Sequence, residues 1–363
     1  MRLDYLEIEQ FRGIRELKLE RLGDVNLLLG DNDSGKTSVL EAVRMFEAPD
    51  NIAIILRNAR ERQLSIRMYA RELYTPVEYI WNLFPFFQET KQISLSAEIN
   101  RQHEELGISG ELVHILRPVS ESELRGYPTS SRKKDKVLSE QDVLTLQGEI
   151  SYQGEAYPYS VDEFFYPPMP LNAIKLERTI RYMAPGDHLS GRYNSAIFRA
   201  TKRQELEIVE LLNLIDPDIE GVKLVEGSTS LTRNQIVEHK LFGNIPLYSY
   251  GDGMKKILTL ASYVLNAKGG VLLIDEIETS LQASHLKRVF AWLLQACRQF
   301  EVQLFVTTHS LEAVSALAGC AVEDRECDLV CYRLEADGEK LFAKRFSENR
   351  LDSIVNGRGI DVR

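Results

Sequence analysis

Residues 30–37 read GDNDSGKT, and their types and spacing suit the binding of a nucleotide phosphate. The segment fits the pattern G-x-x-x-x-G-K-[ST], in which backbone N–H groups at a helix N-terminus surround the β-phosphate. In this chemistry Lys36 reaches the β- and γ-phosphates, and the Thr37 hydroxyl is a ligand of Mg²⁺. The residues that we expect to contact the nucleotide here are Gly30, Asn32, Ser34, Gly35, Lys36, Thr37 and Ser38.

A pair of carboxylates, Asp275 and Glu276, follows the apolar run VLLI at 271–274. A buried strand that ends in acidic residues is typical of the ligand-binding edge of an α/β sheet. We expect Asp275 to hold Mg²⁺ through water and Glu276 to polarise the attacking water as a general base. The pair is common by chance, and it gains weight because it lies downstream of a phosphate-binding loop.

A histidine, His309, stands in the sequence TTHS directly after a third apolar run at 303–306. A histidine in this place can be a buried core residue with satisfied hydrogen bonds. Its position at another strand end favours a catalytic role, in which it senses the γ-phosphate.

The elements that must position these residues can be read from hydrophobic patterning. The run VNLLL at 25–29 predicts a buried strand, and residues 38–46 predict a helix with apolar positions at i, i+3 and i+4. Further on, residues 92–99 alternate like a strand, and residues 111–116 are predicted to pair with them. A helix is expected over 200–214, followed by strands at 221–225 and 236–239.

Composition narrows the function classes. The chain has 363 residues, a formal net charge of −10, 44% hydrophobic and 27% charged residues, which excludes wholesale disorder and a generic polyanion binder. It has no apolar run of about 18 residues and no apolar leader, so we expect a cytoplasmic protein without a membrane partner. Its four cysteines form no C-x-x-C pair, which favours reduced thiols over a zinc site.

One stretch, from Lys175 to Arg203, is basic against this acidic background. It has seven basic and two acidic residues, with aromatic residues among them, namely Tyr182, Tyr193 and Phe198. This composition suits a DNA-binding or acidic-partner surface, and it equally suits a solvated face held by salt bridges.

The three motifs, in this order, resemble those of the ABC-type ATPase heads of the SMC, RecF and OLD families. The opening segment IEQFRGI at 8–14 is similar to the first strand of those heads, and the resemblance covers 1–48 and about 245–320. The segments IDEIETSL and TTHSLEAV are most similar to the OLD-like branch. Glu278, Ser280 and Leu281 fit its E-x-x-L-H stretch, whereas Gln282 stands where histidine is usual.

The resemblance implies a further motif, a signature at a helix N-terminus that completes the site of a second subunit. Residues 249–253 read SYGDG and precede a long apolar-periodic helix, so Ser249, Gly251 and Gly253 are expected to face a γ-phosphate across the interface. Asp252 departs from the usual L-S-G-G-Q form. The glutamine loop of these heads is left open among Gln88, Gln92 and Gln153.

The fold that the resemblance implies is an α/β P-loop NTPase of ABC-ATPase type, with a mixed sheet core and an antiparallel β-lobe. Residues 1–50 and 245–363 would form the head, and 51–244 an inserted β/helical lobe. The expected cofactors are ATP and Mg²⁺, and the expected assembly is a homodimer or higher homo-oligomer with ATP between the heads.

The resemblance also implies a biological role. Because few residues follow His309, we expect no TOPRIM nuclease of the kind found in the OLD family, and we expect no coiled-coil arm because no long heptad run is present. It therefore resembles a stand-alone OLD-like ATPase, a sensor or scaffold that controls a separate nuclease or toxin effector in bacterial anti-phage defence. Two alternatives stay open: a RecF-like DNA-repair clamp that uses the Lys175–Arg203 stretch, and an ATP-gated scaffold that does not hydrolyse ATP.

Overall fold

Two six-stranded sheets, one three-stranded sheet and eight α-helices make up the part of the chain that the structure describes. The computed structural model describes residues 1–64, 74–86, 91–120, 123, 137–165, 178–189, 201–226, 233–324, 326–338 and 340–362. The strands are β1 Leu3–Phe11, β2 Ile14–Glu20, β3 Val25–Leu29, β4 Gln92–Ile99, β5 Gln102–Ser120, β6 Val137–Tyr152, β7 Glu155–Asp162, β8 Ile180–Met183, β9 Ile219–Glu226, β10 Arg233–His239, β11 Gly243–Pro246, β12 Val271–Ile274, β13 Gln303–Thr307, β14 Leu329–Asp337 and β15 Lys340–Ser347. The helices are α1 Lys36–Met45, α2 Ile52–Leu64, α3 Pro76–Trp81, α4 Lys202–Leu212, α5 Asp252–Asn266, α6 Ala283–Gln299, α7 Leu311–Glu323 and α8 Glu348–Asp352.

The central sheet is mixed, with the strand order β15-β14-β3-β13-β12-β8. Five of its strands are parallel, and β15 alone runs antiparallel, paired with β14. Since parallel strands end at the same edge of a sheet, the segments that follow β3, β12 and β13 meet there. The strands predicted at 25–29, 271–274 and 303–306 are these three, with β13 one residue longer than expected.

The second large sheet is antiparallel, with the order β2-β1-β4-β5-β6-β7. The predicted strand at 92–99 is β4, but the prediction that 111–116 pairs with it is wrong. Residues 102–109 of β5 pair with β4, and 111–116 pair with β6. The cause is the tight turn after β4, where Asn100 and Arg101 take φ of 51° and 65° and so start the pairing at once.

The middle of the chain contributes strands to both large sheets. Strands β4–β7 extend the antiparallel sheet that β1 and β2 begin, and β8 is an edge strand of the mixed sheet. Helix α4 and the small sheet β11-β10-β9 lie between β8 and α5 in the sequence. The head and inserted-lobe division at residues 50 and 245 stays a prediction, and the structure adds that the middle segment helps to build the head itself.

The mixed sheet has an apolar core on each face, because side chains alternate along its strands. Leu28, Leu273 and Phe305 point into one core, which α1 and the antiparallel sheet share. Leu27, Leu272 and Val306 point into the other, which is closed by α5, α6 and α7. Strands buried on both faces explain the unbroken apolar runs in the sequence.

Two composition-based expectations concern the whole molecule. Within the described residues no helix combines the length and apolar character needed to cross a membrane. All four cysteines are free thiols, and burial raises the pKa of each of them.

Candidate nucleotide-binding site

The phosphate-binding loop connects β3 to α1 at the carboxyl edge of the mixed sheet. Gly30 takes φ of 143° and Gly35 takes φ of 88°, conformations that an L side chain rarely adopts. A Cβ at residue 30 would also lie 2.7 Å from Ser34 Oγ and 2.8 Å from the Leu334 carbonyl oxygen. Gly35 is the N-cap of α1, so the helix begins at Lys36 rather than at the predicted residue 38.

The Lys36 side chain is buried inside this loop. Its Nζ donates to the carbonyl oxygen of Gly30 at 2.7 Å, to that of Asp31 at 2.8 Å and to Ser34 Oγ at 3.4 Å. Burial lowers the pKa of the ammonium, and the nearby carboxylates, Asp275 first, oppose that shift. The loop thus holds a positive charge at its centre, beside the N-terminus of α1.

Thr37 and Asp275 come together although 238 residues separate them in the sequence. Thr37 Oγ1 donates to Asp275 Oδ2 at 2.9 Å. Asp275, only 7% exposed, also accepts from Tyr182 OH on Oδ2 at 3.2 Å and from Thr307 Oγ1 on Oδ1 at 2.6 Å. A hydroxyl oxygen and a carboxylate oxygen are hard metal ligands, and these two lie next to a phosphate-binding loop, so the pair fits Mg²⁺.

Glu276 directly follows the strand end and takes a positive φ of 48°. Its backbone N–H donates to Thr307 Oγ1 at 2.8 Å, and its Oε2 accepts from Thr279 Oγ1 at 3.3 Å. The Thr307 hydroxyl therefore bridges Asp275 and Glu276 and fixes how the chain leaves β12.

His309 lies at the end of β13, two residues after Thr307. Its backbone N–H donates to Glu278 Oε1 at 2.9 Å, which joins the end of β13 to the loop after β12. Ser310 then caps α7, because its side chain accepts from the Ala313 N–H at 3.1 Å.

The structure places the predicted residues in two groups. Lys36, Thr37, Asp275 and Glu276 lie together, while of the other loop residues Asn32 is exposed and Ser34, Gly35 and Ser38 are half-buried. The signature lies apart: Ser249 ends a short 3₁₀ turn, Gly251 is the N-cap of α5 and Gly253 is in its first turn. Within the described residues these three make no hydrogen bond to their own phosphate-binding loop.

The signature carboxylate, Asp252, has a partner on its own helix. Lys255 Nζ donates to Asp252 Oδ1 at 3.0 Å, which offsets the negative charge beside the positive end of α5. A hypothetical Cβ on Gly253 would lie 3.2 Å from the Ser280 carbonyl oxygen. The signature and the loop after β12 therefore lie against each other and share a cleft that Gln282 and His285 also line.

The sequence analysis did not identify three residues that contact the site. They are Tyr182, Thr307 and Glu278, the last through its contact with His309. Thr307 stands in TTHS at the strand end, and a polar residue at that position could have been predicted to contact the site. Tyr182 could not have been predicted in this way, because its role depends on β8 pairing with β12. It was counted among the aromatic residues of the basic stretch, but it is only 5% exposed and donates to Asp275.

The basic stretch is held by ion pairs wherever the structure describes it. The pairs are Arg178 with Glu104 at 2.6 Å, Arg181 with Glu47 at 3.3 Å, Lys202 with Glu205 at 2.9 Å and Arg203 with Glu207 at 3.1 Å. The remaining members, Lys175, Arg192, Tyr193, Phe198 and Arg199, lie outside the described residues. For the described part, the salt-bridged face is the better interpretation.

Of the glutamine-loop candidates, Gln153 donates to the His103 carbonyl oxygen within the antiparallel sheet, and Gln88 is outside the described residues.

Two protein families match the sequence. The family described as "AAA domain, putative AbiEii toxin, Type IV TA system" matches residues 131–315, about half of the chain. The family described as "AAA ATPase domain" matches residues 1–143, which include the phosphate-binding loop.

Three individual proteins are also similar to this chain in sequence. The chain is 21% identical to an "ATP/GTP phosphatase" of Helicobacter pylori over 346 residues, which cover 86% of each protein. It is 33% identical over 101 residues to an uncharacterized protein of Methanocaldococcus jannaschii, with 28% of this chain and 42% of that protein covered. It is 32% identical over 83 residues to the DNA replication and repair protein RecF of Pseudoalteromonas translucida, with 21% of this chain and 23% of that protein covered. The matches to the Methanocaldococcus protein and to RecF thus span less than half of those two relatives.

A solved structure of an SMC head, bound to the C-winged helix domain of ScpA, superposes on this chain with a TM-score of 0.51. The identity is 13%, and the match covers 96% of this chain and 98% of the other. At this identity the likeness concerns the fold alone. It confirms the predicted P-loop fold of ABC-ATPase type, with a mixed sheet and an antiparallel lobe.

Proposed function

The chain belongs to the AAA-domain family that matches residues 131–315, and from this premise we propose that it binds ATP with Mg²⁺ and hydrolyses it. It is an ABC-type ATPase head of the SMC and RecF group. The observation that carries the proposal is the hydrogen bond of 2.9 Å between Thr37 Oγ1 and Asp275 Oδ2. It joins a phosphate-binding loop to an acidic strand end across 238 residues of sequence.

Each residue of the site has a defined task in this proposal. The backbone N–H groups before α1 and the Lys36 ammonium bind the β- and γ-phosphates. Thr37 and Asp275 would hold Mg²⁺, which would supply charge that neutralises the phosphates. Glu276 accepts the proton of the attacking water, and His309 contacts the γ-phosphate.

The assembly that we propose is a head-to-tail homodimer with ATP between the heads. Ser249, Gly251 and Gly253 lie at the N-terminus of α5 and make no hydrogen bond to their own phosphate-binding loop among the described residues. A helix N-terminus with small residues suits an anion supplied by a second copy. The pairing of Asp252 with Lys255 lowers the repulsion that its carboxylate would exert on that anion.

The test compares Glu276→Gln with wild type and with Glu210→Gln, an exposed residue of α4. Loss of a general base lowers turnover by about 10²–10⁴-fold, so Glu276→Gln is expected to bind ATP without hydrolysing it. With ATP and Mg²⁺ this variant is therefore expected to form a stable dimer, which a measurement of its molecular mass in solution detects. Glu210→Gln is expected to behave as wild type. Hydrolysis by Glu276→Gln at the wild-type rate refutes the base assignment, and a wild type that binds ATP without turnover favours the non-hydrolysing scaffold.

We also propose that this ATPase, in the cytoplasm, acts as a sensor or scaffold for a separate toxin or nuclease in anti-phage defence. Support comes from the family description, which names a toxin and a type IV TA system, and from the resemblance to OLD-like heads. Purification with the product of the neighbouring gene tests it: a stable complex whose effector activity depends on ATP is expected. An effector that acts identically with Lys36→Ala refutes the control by ATP.

A RecF-like DNA clamp is the second candidate, and the short similarity to RecF favours it. It predicts salt-sensitive DNA binding that weakens on charge reversal at Arg192, Arg199 and Arg203. The pairing of Arg178, Arg181 and Arg203 with acids counts against it.

A further inference from the structure

One turn into α5, beyond the signature, the Lys256 side chain is completely buried, with 0% exposure. Within the described residues its Nζ has no hydrogen-bond partner. A buried ammonium without a hydrogen-bond partner destabilises a fold, because it loses hydration without full compensation. The proposed hydrolysis gives this lysine no task so far.

The charges that act on Lys256 come from the catalytic side of the molecule. The strongest attraction is from Glu278, followed by Asp187, Glu276 and Asp275. Burial outweighs them and lowers the Lys256 pKa to about 8. Of these carboxylates, Asp187 accepts two hydrogen bonds on Oδ2, from Tyr263 OH at 2.8 Å and from the Ala184 N–H at 2.9 Å.

Glu278 has one oxygen engaged and one idle. Its Oε1 accepts from the His309 N–H at 2.9 Å, whereas its Oε2 is buried and has no hydrogen-bond partner among the described residues. A buried ammonium on α5 and a buried carboxylate oxygen on the loop after β12 thus both have unfilled hydrogen-bonding capacity. A movement that brought the two elements into contact would satisfy both groups with one hydrogen bond.

We propose that Lys256 is a positioning residue that couples the signature helix α5 to the catalytic loop through the carboxylate of Glu278. The inference rests on the proposed function and deepens it. The N-terminus of α5 presents the signature to a second head, and Glu278 holds the backbone of His309. Engagement of a second head on α5 is thereby transmitted to the Glu276–Glu278 loop and to His309 of the same subunit.

The experiment is a double-mutant cycle of Lys256→Met and Glu278→Gln, with Lys268→Met as control. Lys268 is exposed just beyond α5 and undergoes the same chemical change. For each variant, kcat for ATP and the dissociation constant of ATP are measured separately. Lys256→Met is expected to lower kcat roughly tenfold with an unchanged dissociation constant, and Lys268→Met to match wild type. The double variant is expected to be no slower than the slower single variant.

Wild-type kcat in Lys256→Met, or single effects that multiply in the double variant, would overturn the coupling while leaving the ATPase proposal intact. If Lys256→Met lowers ATP affinity and kcat together, Lys256 has only a structural role, and the proposed coupling is again overturned. If Lys256→Met does not fold, Glu278→Gln decides, because coupling requires it to lower kcat at unchanged affinity. A wild type without hydrolysis would overturn the ATPase proposal and the coupling together.

Discussion

Removal of the Thr307 hydroxyl is expected to weaken the fold and the site together, because one group serves two neighbours. Its Oγ1 donates to Asp275 Oδ1 at 2.6 Å and accepts the Glu276 N–H at 2.8 Å. Thr307 is 0% exposed, so water has no access to replace either bond. The substitution Thr307→Val keeps the side-chain shape, takes a donor from a carboxylate and leaves a backbone N–H without its acceptor.

The magnitude follows from these two losses. A hydrogen bond to a charged group contributes about 1.5–3 kcal/mol, and an orphaned buried N–H costs about 1–3 kcal/mol. Because both losses share one atom, we expect a combined loss of about 3 kcal/mol in the free energy of unfolding, a large part of the usual 5–15 kcal/mol. Urea unfolding without nucleotide measures this loss.

The neighbouring residue supplies the control. Thr308 is also buried, but its Oγ1 accepts from the Ser310 N–H at 3.0 Å and, among the residues that the structure describes, donates to no carboxylate. Thr308→Val is therefore expected to cost about 1 kcal/mol. Equal losses in the two variants would refute the bridging role of Thr307. So would an unchanged cost of Thr307→Val in an Asp275→Asn background.

Two further outcomes are expected. Gly30→Ala should lower the free energy of unfolding by roughly 3 kcal/mol and abolish ATP binding, because residue 30 has a positive φ and its Cβ would meet atoms at 2.7 and 2.8 Å. Gly338→Ala is the control: it has φ of 62° but no described atom within 4 Å of the added Cβ, so it should lower the free energy of unfolding by about 1 kcal/mol. Thermal unfolding measures both losses. The second outcome concerns pH: a Lys256 pKa of about 8 in the folded chain against 10.5 unfolded means that the unfolded state binds more protons between these values. Wild type should therefore gain roughly 3 kcal/mol relative to Lys256→Met as pH rises from 7 to 10.5, and a constant difference between the two unfolding curves would contradict the burial of that charge.

Local patterns were sufficient for the elements that carry the motifs. The strand at Val25–Leu29 and the strand ends at Asp275 and Thr307 follow from apolar runs that stop at polar residues. Their meeting at one edge follows from the parallel pairing of β3, β13 and β12, in a mixed sheet of the kind that the resemblance to ABC-type heads implies. The strands and their polar ends depend on short-range chemistry, so a single sequence contains them.

Features that depend on long-range pairing were not predictable in the same way. Tyr182 reaches Asp275 only because β8 pairs with β12, and the segment gives no sign of that partner. Lys256 lies in an apolar helix pattern, where a lysine is normally expected at the surface. The pairing of 111–116 was missed because the register is set by the turn at Asn100 and not by the strand residues.

The hydrogen bond between Thr37 and Asp275 has a consequence for how the protein is made. At about 5–20 residues per second, the ribosome needs roughly 10–50 s to advance from one residue to the other. During that time the newly made phosphate-binding loop has no acidic partner, and β3 has no parallel neighbour. The complete site is therefore expected only after β12, β13 and β14 have been made, so that products truncated before β12 should bind nucleotide weakly.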